Sequence, residues 1–337
     1  MRILLTILVF IFAPVLTEQG LQIGEVNINN QKIKIMKMNL NNPAFLQMAG
    51  NVKAEEYISF VDASGSPQIY QLSAIGNVSV VSTYNGVQTT QLLTSPNEET
   101  VNVQSDPNTQ VFLYGKITKF YCDPGPGTYT DFTTLDVTKA RSLTYLDCGN
   151  NQLTSLDLSA NTALTELYCY SNQLTSLDLS ANTALTKLYC NENQLTSLDL
   201  STNTALTNLY CYINQLTSLD LSANTALTEL YCNSNQLTSL DLSANTALTK
   251  LSCGSNQLTS LNLRANTALT ELYCSGNENI TTIEAVVVYS GVASAIASLI
   301  TDATSVDGIV TLRQGDEFNQ TIIDAATNKG WDVQYYQ

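Results

Sequence analysis

The chain has 337 residues and a formal charge of −15, with only 13% charged residues against a usual share of roughly 25%. It contains no histidine, which excludes histidine general bases, Ser-His and Cys-His nucleophilic systems and the common histidine-bearing zinc sites. The 14 basic residues form no cluster along the chain, so nucleic acid is not an expected partner, because phosphate binding needs grouped Lys and Arg.

Residues 1–20, MRILLTILVFIFAPVLTEQG, place one arginine before an apolar run from Ile3 to Phe12. That run has the length of a signal-peptide core and is too short to span a bilayer. A secreted or cell-surface protein is the expectation, with a buried N-terminal strand as the alternative, and no later segment reads as membrane-spanning. Residues 21–116 hold no repeat but alternate in strand fashion at 57–62 (YISFVD), 77–84 (NVSVVSTY) and 111–120 (VFLYGKITKF). Turn signals at Ser66-Pro67, Asn85-Gly86 and Asp106-Pro107 separate these runs. A β-rich N-terminal domain or cap is expected there, shielding whatever follows from solvent at its open end.

From residue 117 the pattern changes. Ile117-Thr118, Phe120 and Cys122 read as a degenerate first strand, and Asp123-Pro124-Gly125-Pro126-Gly127 interrupts it before a regular array begins at Phe132. Seven units of 21 residues follow, built like LTELYCYSNQLTSLDLSANTA at 164–184. Cysteine recurs at Cys148, Cys169, Cys190, Cys211, Cys232, Cys253 and Cys274, and asparagine at Asn151, Asn172, Asn193, Asn214, Asn235, Asn256 and Asn277. Within one unit Leu164, Leu167, Cys169, Leu174, Leu177 and Leu179 are apolar, and the steps of two in Leu167/Cys169 and Leu177/Leu179 are strand steps. Each coil is therefore expected to hold two short strands and no helix. Its two halves, LTELYCYSNQ and LTSLDLSANTA, both read L-x-x-L-x-(L/C)-x-x-N.

Leu164, Leu167, Cys169, Asn172 and Leu174 resemble the leucine-rich repeat, and most of all the short bacterial kind in which one repeat is nested inside another. The resemblance covers roughly residues 132–283. The sequence departs from it in placing Cys at the third Leu position, and neither flank looks like the capping modules of the internalins. The resemblance implies a solenoid used for its surface, and by analogy of fold an exported bacterial recognition protein.

After Cys274, Ile280-Thr281-Thr282-Ile283 imitates LTSL with one residue inserted. Residues 284–300 then read as a helix, 308–312 as a strand, 317–327 as a helix and 331–336 as a last strand. The expected architecture is a mainly β solenoid over 117–283, with two short parallel strands per coil and little helix. A β-rich cap precedes it over 21–116, and an α/β cap follows over 284–337.

No enzymatic activity, cofactor or metal is expected. Gly125-Pro126-Gly127 matches no phosphate-binding motif. The cysteine ladder lacks C-x-x-C pairs, and its members face inward at strand spacing of about 4.8 Å, wider than the Cβ separation of about 3.8 Å that a disulfide wants. Buried thiols acting as small hydrophobes are expected, with Cys122 set apart by a neighbouring loop that breaks register. Asn151–Asn277 and a second series, Asn161, Asn182, Asn203, Asn224, Asn245 and Asn266, fall where the chain turns and read as backbone-satisfying amides. Asp136, Asp157, Asp178, Asp199, Asp220 and Asp241 alternate with core leucines and so form a solvated column. Flanking serines such as Ser155 and Ser159 are placed to soften its repulsion, and Ca²⁺ is the conceivable ligand.

The candidate binding surface lies on the other strand. Outward positions beside each cysteine carry Tyr168, Tyr189, Tyr210, Tyr231 and Tyr273, with Tyr170 and Tyr212 alongside, Tyr145 at the near end and Ser252 breaking the column. Such rings offer an amphipathic face to a partner at low entropic cost, or simply support the sheet. Glu166/Lys187, Glu229/Lys250 and Lys250/Glu271 are placed to pair across strands. The functional expectation is a protein partner bound through the tyrosine face. A carbohydrate-binding surface protein and a structural spacer of a cell envelope or phage particle are the alternatives.

Overall fold

A computed structural model describes residues 22–28, 31–37, 56–62, 68–85, 87–93, 97, 99–103, 107–122, 132–285, 290–304, 308–313 and 319–336. The candidate leader over 1–20 and the loop over 123–127 lie outside them. The chain divides into two compact units at residues 54 and 55. In the first, β1 (Gln22–Ile28) and β2 (Gln31–Lys37) form an antiparallel hairpin.

The second unit is built on one 13-stranded sheet. Its N-terminal part contains β3 (Tyr57–Asp62), β4 (Gln68–Tyr84), β5 (Val87–Leu93), β6 (Glu99–Val103) and β7 (Thr109–Tyr121). The 17-residue β4 pairs antiparallel with β5, β6 and β7. By one edge β3 pairs with β7, and by the other with β8 (Phe132–Asp136). The strand thus bridges the two sides of the first coil. Phe60 of β3 lies fully buried against Phe132 and Phe120, at ring-centroid distances of 4.2 and 6.1 Å.

The last residues of β7 change partner and start the parallel ladder. Lys119, Phe120 and Tyr121 stand beside Tyr145, Leu146 and Asp147 of β9 (Tyr145–Asp147), as the degenerate pattern at 117–122 anticipates. The ladder continues through β10 (Glu166–Tyr168), β11 (Lys187–Tyr189), β12 (Asn208–Tyr210), β13 (Glu229–Tyr231), β14 (Lys250–Ser252) and β16 (Glu271–Tyr273), each in register with the next. The central leucine of each strand faces the core, and the leucines and cysteines of every coil form one continuous hydrophobic cluster. All eight cysteines are buried thiols. Burial lifts six of them, Cys169, Cys190, Cys211, Cys232, Cys253 and Cys274, above the ordinary thiol range, Cys190 and Cys253 to about 12.

Three side-chain ladders reinforce the strands. Asn172 donates from Nδ2 to the carbonyls of Cys148, Cys169 and Tyr170, and its Oδ1 accepts from the Leu153 N–H at 2.9 Å. Asn193, Asn214 and Asn235 repeat the arrangement. Threonine hydroxyls form a ladder that the sequence reading did not anticipate: Thr165 donates to Thr144 O at 2.9 Å and Thr186 to Thr165 O at 3.1 Å. The second asparagine series donates likewise, Asn182 to Leu158 O and Asn161 O, but its six Oδ1 atoms are buried and accept no hydrogen bond.

The expectation of two strands per coil is corrected: each regular coil holds one, three residues long. The second half keeps its inward leucines, with Leu174, Leu177 and Leu179 all buried, so the alternation was legible. Its backbone, however, bonds locally. Asp178 Oδ1 accepts from Ser180 N at 2.9 Å, and the recurrent backbone bond from one coil to the next is that of Gln194 N to Leu174 O. Alternation orients side chains, whereas a strand also needs a ladder of backbone partners. That condition is met at β15 (Ser260–Leu263), which pairs parallel with β17 (Thr282–Ala285) in a register that absorbs the inserted residue, Leu261 opposite Ile283.

The C-terminal segment exchanges the two sides of the coil. Its strands β17, β18 (Ile309–Arg313) and β19 (Asp332–Tyr336) continue the second-half side from β15. Helix α1 (Ser290–Asp302) packs against β16 on the strand side, and α2 (Asn319–Lys329) packs on α1. Val292, Ala293, Ile296, Leu299 and Ile300 form the buried stripe of α1. The Cys274 thiol donates to Ala295 O of that helix at 3.6 Å. A helix was read from residue 284, but Glu284 and Ala285 still belong to β17, opposite Thr311 and Leu312.

Candidate functional site

The outward residues of β9–β16 form the candidate face, and the registered ladder fixes their columns. Tyr168, Tyr189, Tyr210 and Tyr231 occupy one column in successive coils, followed by Ser252 and Tyr273. Their rings touch in sequence. Tyr168 meets Tyr189 edge-on at 4.7 Å, Tyr189 stacks on Tyr210 at 4.0 Å and 7°, and Tyr210 meets Tyr231 at 4.3 Å.

Tyr145 belongs to the neighbouring column, opposite Glu166, and its ring reaches diagonally to Tyr168 at 5.2 Å. On its other side it meets Tyr121 at 4.4 Å. The stack therefore begins one coil earlier than the sequence reading placed it. The signal for Tyr121 was present, since Phe120-Tyr121-Cys122 reads as the Leu-Tyr-Cys of later coils.

The column is also an electrostatic structure. Tyr168 donates its hydroxyl to Glu166 at 2.7 Å and Tyr210 donates to Glu229 at 2.8 Å. Burial beneath neighbouring rings, and then these carboxylates, push both phenols well above the usual tyrosine range. Burial pushes Glu229 up as well, but hydrogen bonds from Tyr210 and Lys250 outweigh it, so its carboxyl lies below the ordinary value. The charge column pairs as read: Lys187 lies 3.4 Å from Glu166, and Lys250 lies 3.4 Å from Glu229 and 3.9 Å from Glu271.

Tyr170 and Tyr212 stand one column further along. A Cβ at Gly149 would fall 2.6 Å from the Tyr170 ring, so that ring lies directly over the preceding coil. Burial, then Glu192, lifts the Tyr212 phenol. The next residue in every coil is left-handed, with φ between 48° and 56° at Asn150, Ser171, Glu192, Ile213, Ser234 and Ser255. This twist lets consecutive N–H groups reach the next coil, as Asn150 N does to Tyr170 O and Asn151 N to Ser171 O. Asparagine and serine tolerate the conformation, but for a β-branched residue it is costly. Ile213 adopts it and is 49% exposed. Tyr273, beyond the gap at Ser252, is 60% exposed. The structure thus separates the predicted residues into a contiguous stack, Tyr168–Tyr231, and a bare ring, Tyr273.

The Asp157–Asp241 column lies on the opposite side. Each carboxylate accepts from the serine two residues on, and these hydroxyl and N–H bonds hold it below the usual range. An open cleft of about 270 Å³ lies there, lined by Asp199, Asp220 and Ser201 among others. Among the described residues no group of three or more His, Cys, Asp or Glu is placed to hold a metal ion, and no helix is long and apolar enough to cross a membrane.

A 21-residue coil with registered leucines, an inward third position and a four-bonded asparagine defines a class. The chain is a leucine-rich repeat protein, and the family model for leucine-rich repeats matches it twice, at residues 141–182 and 246–287. Among solved structures it is similar to the functional domain of InlJ from Listeria monocytogenes, which includes a cysteine ladder, at 28% identity and a TM-score of 0.39 over 60% of this chain and 56% of that one. It is also similar to an internalin, inlF, of the same species at 19% identity and a TM-score of 0.23, over 65% and 87% of the two chains. A third likeness is to the ectodomain of the plant receptor kinase GASSHO1/SCHENGEN3 from Arabidopsis thaliana, at 17% identity and a TM-score of 0.38, over 52% and 28%. The chain thus spans about half the length of the first of these. No curated protein matches it.

Proposed function

We propose that this chain is an exported, non-enzymatic recognition protein that binds a protein partner through the outward face of β9–β16. The observation that carries this reading is the division of labour within the coil. Inward leucines, cysteines and asparagines repeat almost unchanged, while the two outward columns flanking the tyrosine stack, Glu166/Lys187/Asn208 and Tyr170/Asn191/Tyr212, change from coil to coil, with the exposed Ile213 beside Tyr212 near the middle. Fold maintenance accounts for the constant positions and leaves the varied ones available. Aromatic rings with few rotatable bonds are the side chains that interfaces favour.

The test is capture on a protein and glycan array by residues 21–337, beside a variant with Tyr168, Tyr189, Tyr210 and Tyr231 changed to Ser. Circular dichroism should establish that both are folded. A protein captured by the parent alone supports the reading. Capture of glycans alone replaces the partner class, and equal or absent capture by both moves the conclusion to a structural spacer.

A further inference from the structure

β14 is the coil where the outward pattern lapses. Ser252 stands between Tyr231 and Tyr273, and two residues on Gly254 stands where other coils carry Tyr170 or Tyr212. Adjacent strands lie about 4.8 Å apart, so the two flanking tyrosines are rooted about 9.6 Å from each other. Elsewhere in the column a third ring fills that interval, at 4.0 Å from Tyr189 to Tyr210 and 4.3 Å from Tyr210 to Tyr231. The missing ring leaves a slot one planar group thick.

The floor and far wall of the slot are well defined. Ser252 is 8% exposed, and its Oγ donates to Asn233 Oδ1 at 3.0 Å. Gly254 cannot be replaced by a larger side chain without movement, because a Cβ there would lie 2.6 Å from Ser275 O. Tyr273, the far wall, is 60% exposed.

The surroundings select for charge. Lys250 sits between Glu229 and Glu271, which leaves one carboxylate in excess, and the Glu271 side chain is 45% exposed. Across the whole face Asp147, Glu166, Glu192, Glu229 and Glu271 confront two lysines, Lys187 and Lys250. Burial, opposed by Lys250 but reinforced by Glu229 and Glu271, keeps the Tyr231 phenol protonated above its ordinary range. The Tyr231 wall is therefore a neutral, electron-rich ring, and both walls stand in an acidic setting.

We propose that the slot between Tyr231 and Tyr273 receives the guanidinium of an arginine on the partner protein. This rests on the recognition reading and names the partner's chemistry. A guanidinium is planar and thin enough to lie between two rings. It is attracted by their faces, and its fork matches the free side of Glu271. A lysine ammonium lacks the plane, and a neutral ring gains nothing from the carboxylates.

The test needs no partner. N-acetyl-arginine amide, N-acetyl-lysine amide and N-acetyl-phenylalanine amide are titrated into the full chain, with the tyrosine ring signals followed by NMR. Arginine amide should shift the Tyr231 and Tyr273 signals at millimolar concentration, with lysine amide weaker by about fivefold or more. Ser252→Tyr restores the residue that the other coils carry, completes the column and should abolish the response, while Asp157→Asn, on the opposite side of the coil, should leave it intact. Unmoved Tyr231 and Tyr273 signals, equal lysine binding, tighter phenylalanine binding or a response that survives Ser252→Tyr would each overturn the proposal. If array capture by the parent persists in Ser252→Tyr, the slot fails while the tyrosine face stands. If the titration succeeds and array capture fails, the face lacks a protein partner but the slot's chemistry holds.

Discussion

The two halves of one coil carry almost the same pattern, L-x-x-L-x-(L/C)-x-x-N, yet they reach different structures. In the first half recurrent backbone bonds tie each coil to its neighbours, as Thr186 N to Thr165 O, Cys190 N to Tyr210 O and Glu192 N to Tyr212 O, and the asparagine is saturated: Asn193 Nδ2 reaches Cys169 O, Cys190 O and Asn191 O, and its Oδ1 takes the Leu174 N–H. In the second half the equivalent Asn203 donates to Leu179 O and Asn182 O, and its Oδ1 is buried without a donor. The first half holds the coils together and the second returns the chain. A shared hydrophobic pattern sets what is buried, but the hydrogen-bond partners decide which half is rigid.

Alkali should break this comparison most severely, because thiols occur only in the first half. Six ladder thiols, Cys169 to Cys274, titrate above their ordinary range chiefly because they are buried. The raised folded value means that their contribution is complete below the unfolded pKa of about 8.5 and is lost as pH rises through the folded one. Between those limits each thiol removes about 1.4 kcal/mol of stability per pH unit. Urea midpoints should be flat from pH 6 to about 7.5, begin to fall near pH 8 and fall steeply above pH 9. Cys190→Val with Cys211→Val should flatten the fall by two thiols' worth, whereas an unchanged slope would mean that the thiols ionise in place.

The asparagines offer the sharper test. Asn193→Ala removes four hydrogen bonds and strands the buried Leu174 N–H, an expected loss of about 3–5 kcal/mol. Asn203→Ala removes two bonds but also a buried orphan oxygen, and should cost about 1–2 kcal/mol. Equal losses in chemical denaturation would show that the orphan Oδ1 has a partner in solution.

These differences mark where sequence reading succeeds. The leucine and cysteine columns, the salt-bridge order Glu166, Lys187, Glu229, Lys250, Glu271 and the inserted residue before Ile280 were legible, because period and charge act locally. The second strand was misread because alternation at Leu177 and Leu179 says nothing about whether their N–H groups meet another coil. Tyr121 was missed because residues 123–131 break the count, whereas Tyr145 shares the unit position of Glu166 in the sequence and the register sets the two opposite each other. The lapse at Ser252 was visible as a gap, but the exposure of Tyr273 beyond it required the ladder.

Within the first half, the ring column should divide as the contacts do. Tyr189 stacks on Tyr210 and meets Tyr168 edge-on, so Tyr189→Ala should cost about 1–3 kcal/mol, at roughly 0.5–1.5 per ring contact beyond area. Tyr273, 60% exposed, should cost no more than about 0.5 kcal/mol on the same change. Thermal melts of the two variants check this, and a large loss at Tyr273 would reveal a ring contact in solution.

Ile213 tests the smallest effect and joins stability to function. At φ 51° its branched Cβ pays for a conformation that Ser171, Ser234 and Ser255 adopt more easily in the same position. Ile213→Asn should therefore stabilise the chain by about 0.5–1 kcal/mol, part of the roughly 1–2 kcal/mol left-handed penalty. A strained, exposed apolar residue beside Tyr212 persists for a reason other than folding if its replacement by Asn raises the melting temperature and weakens capture of the partner. If the variant is more stable and captures equally well, the middle of the face is not the contact, and binding is confined to the two ends of the tyrosine column.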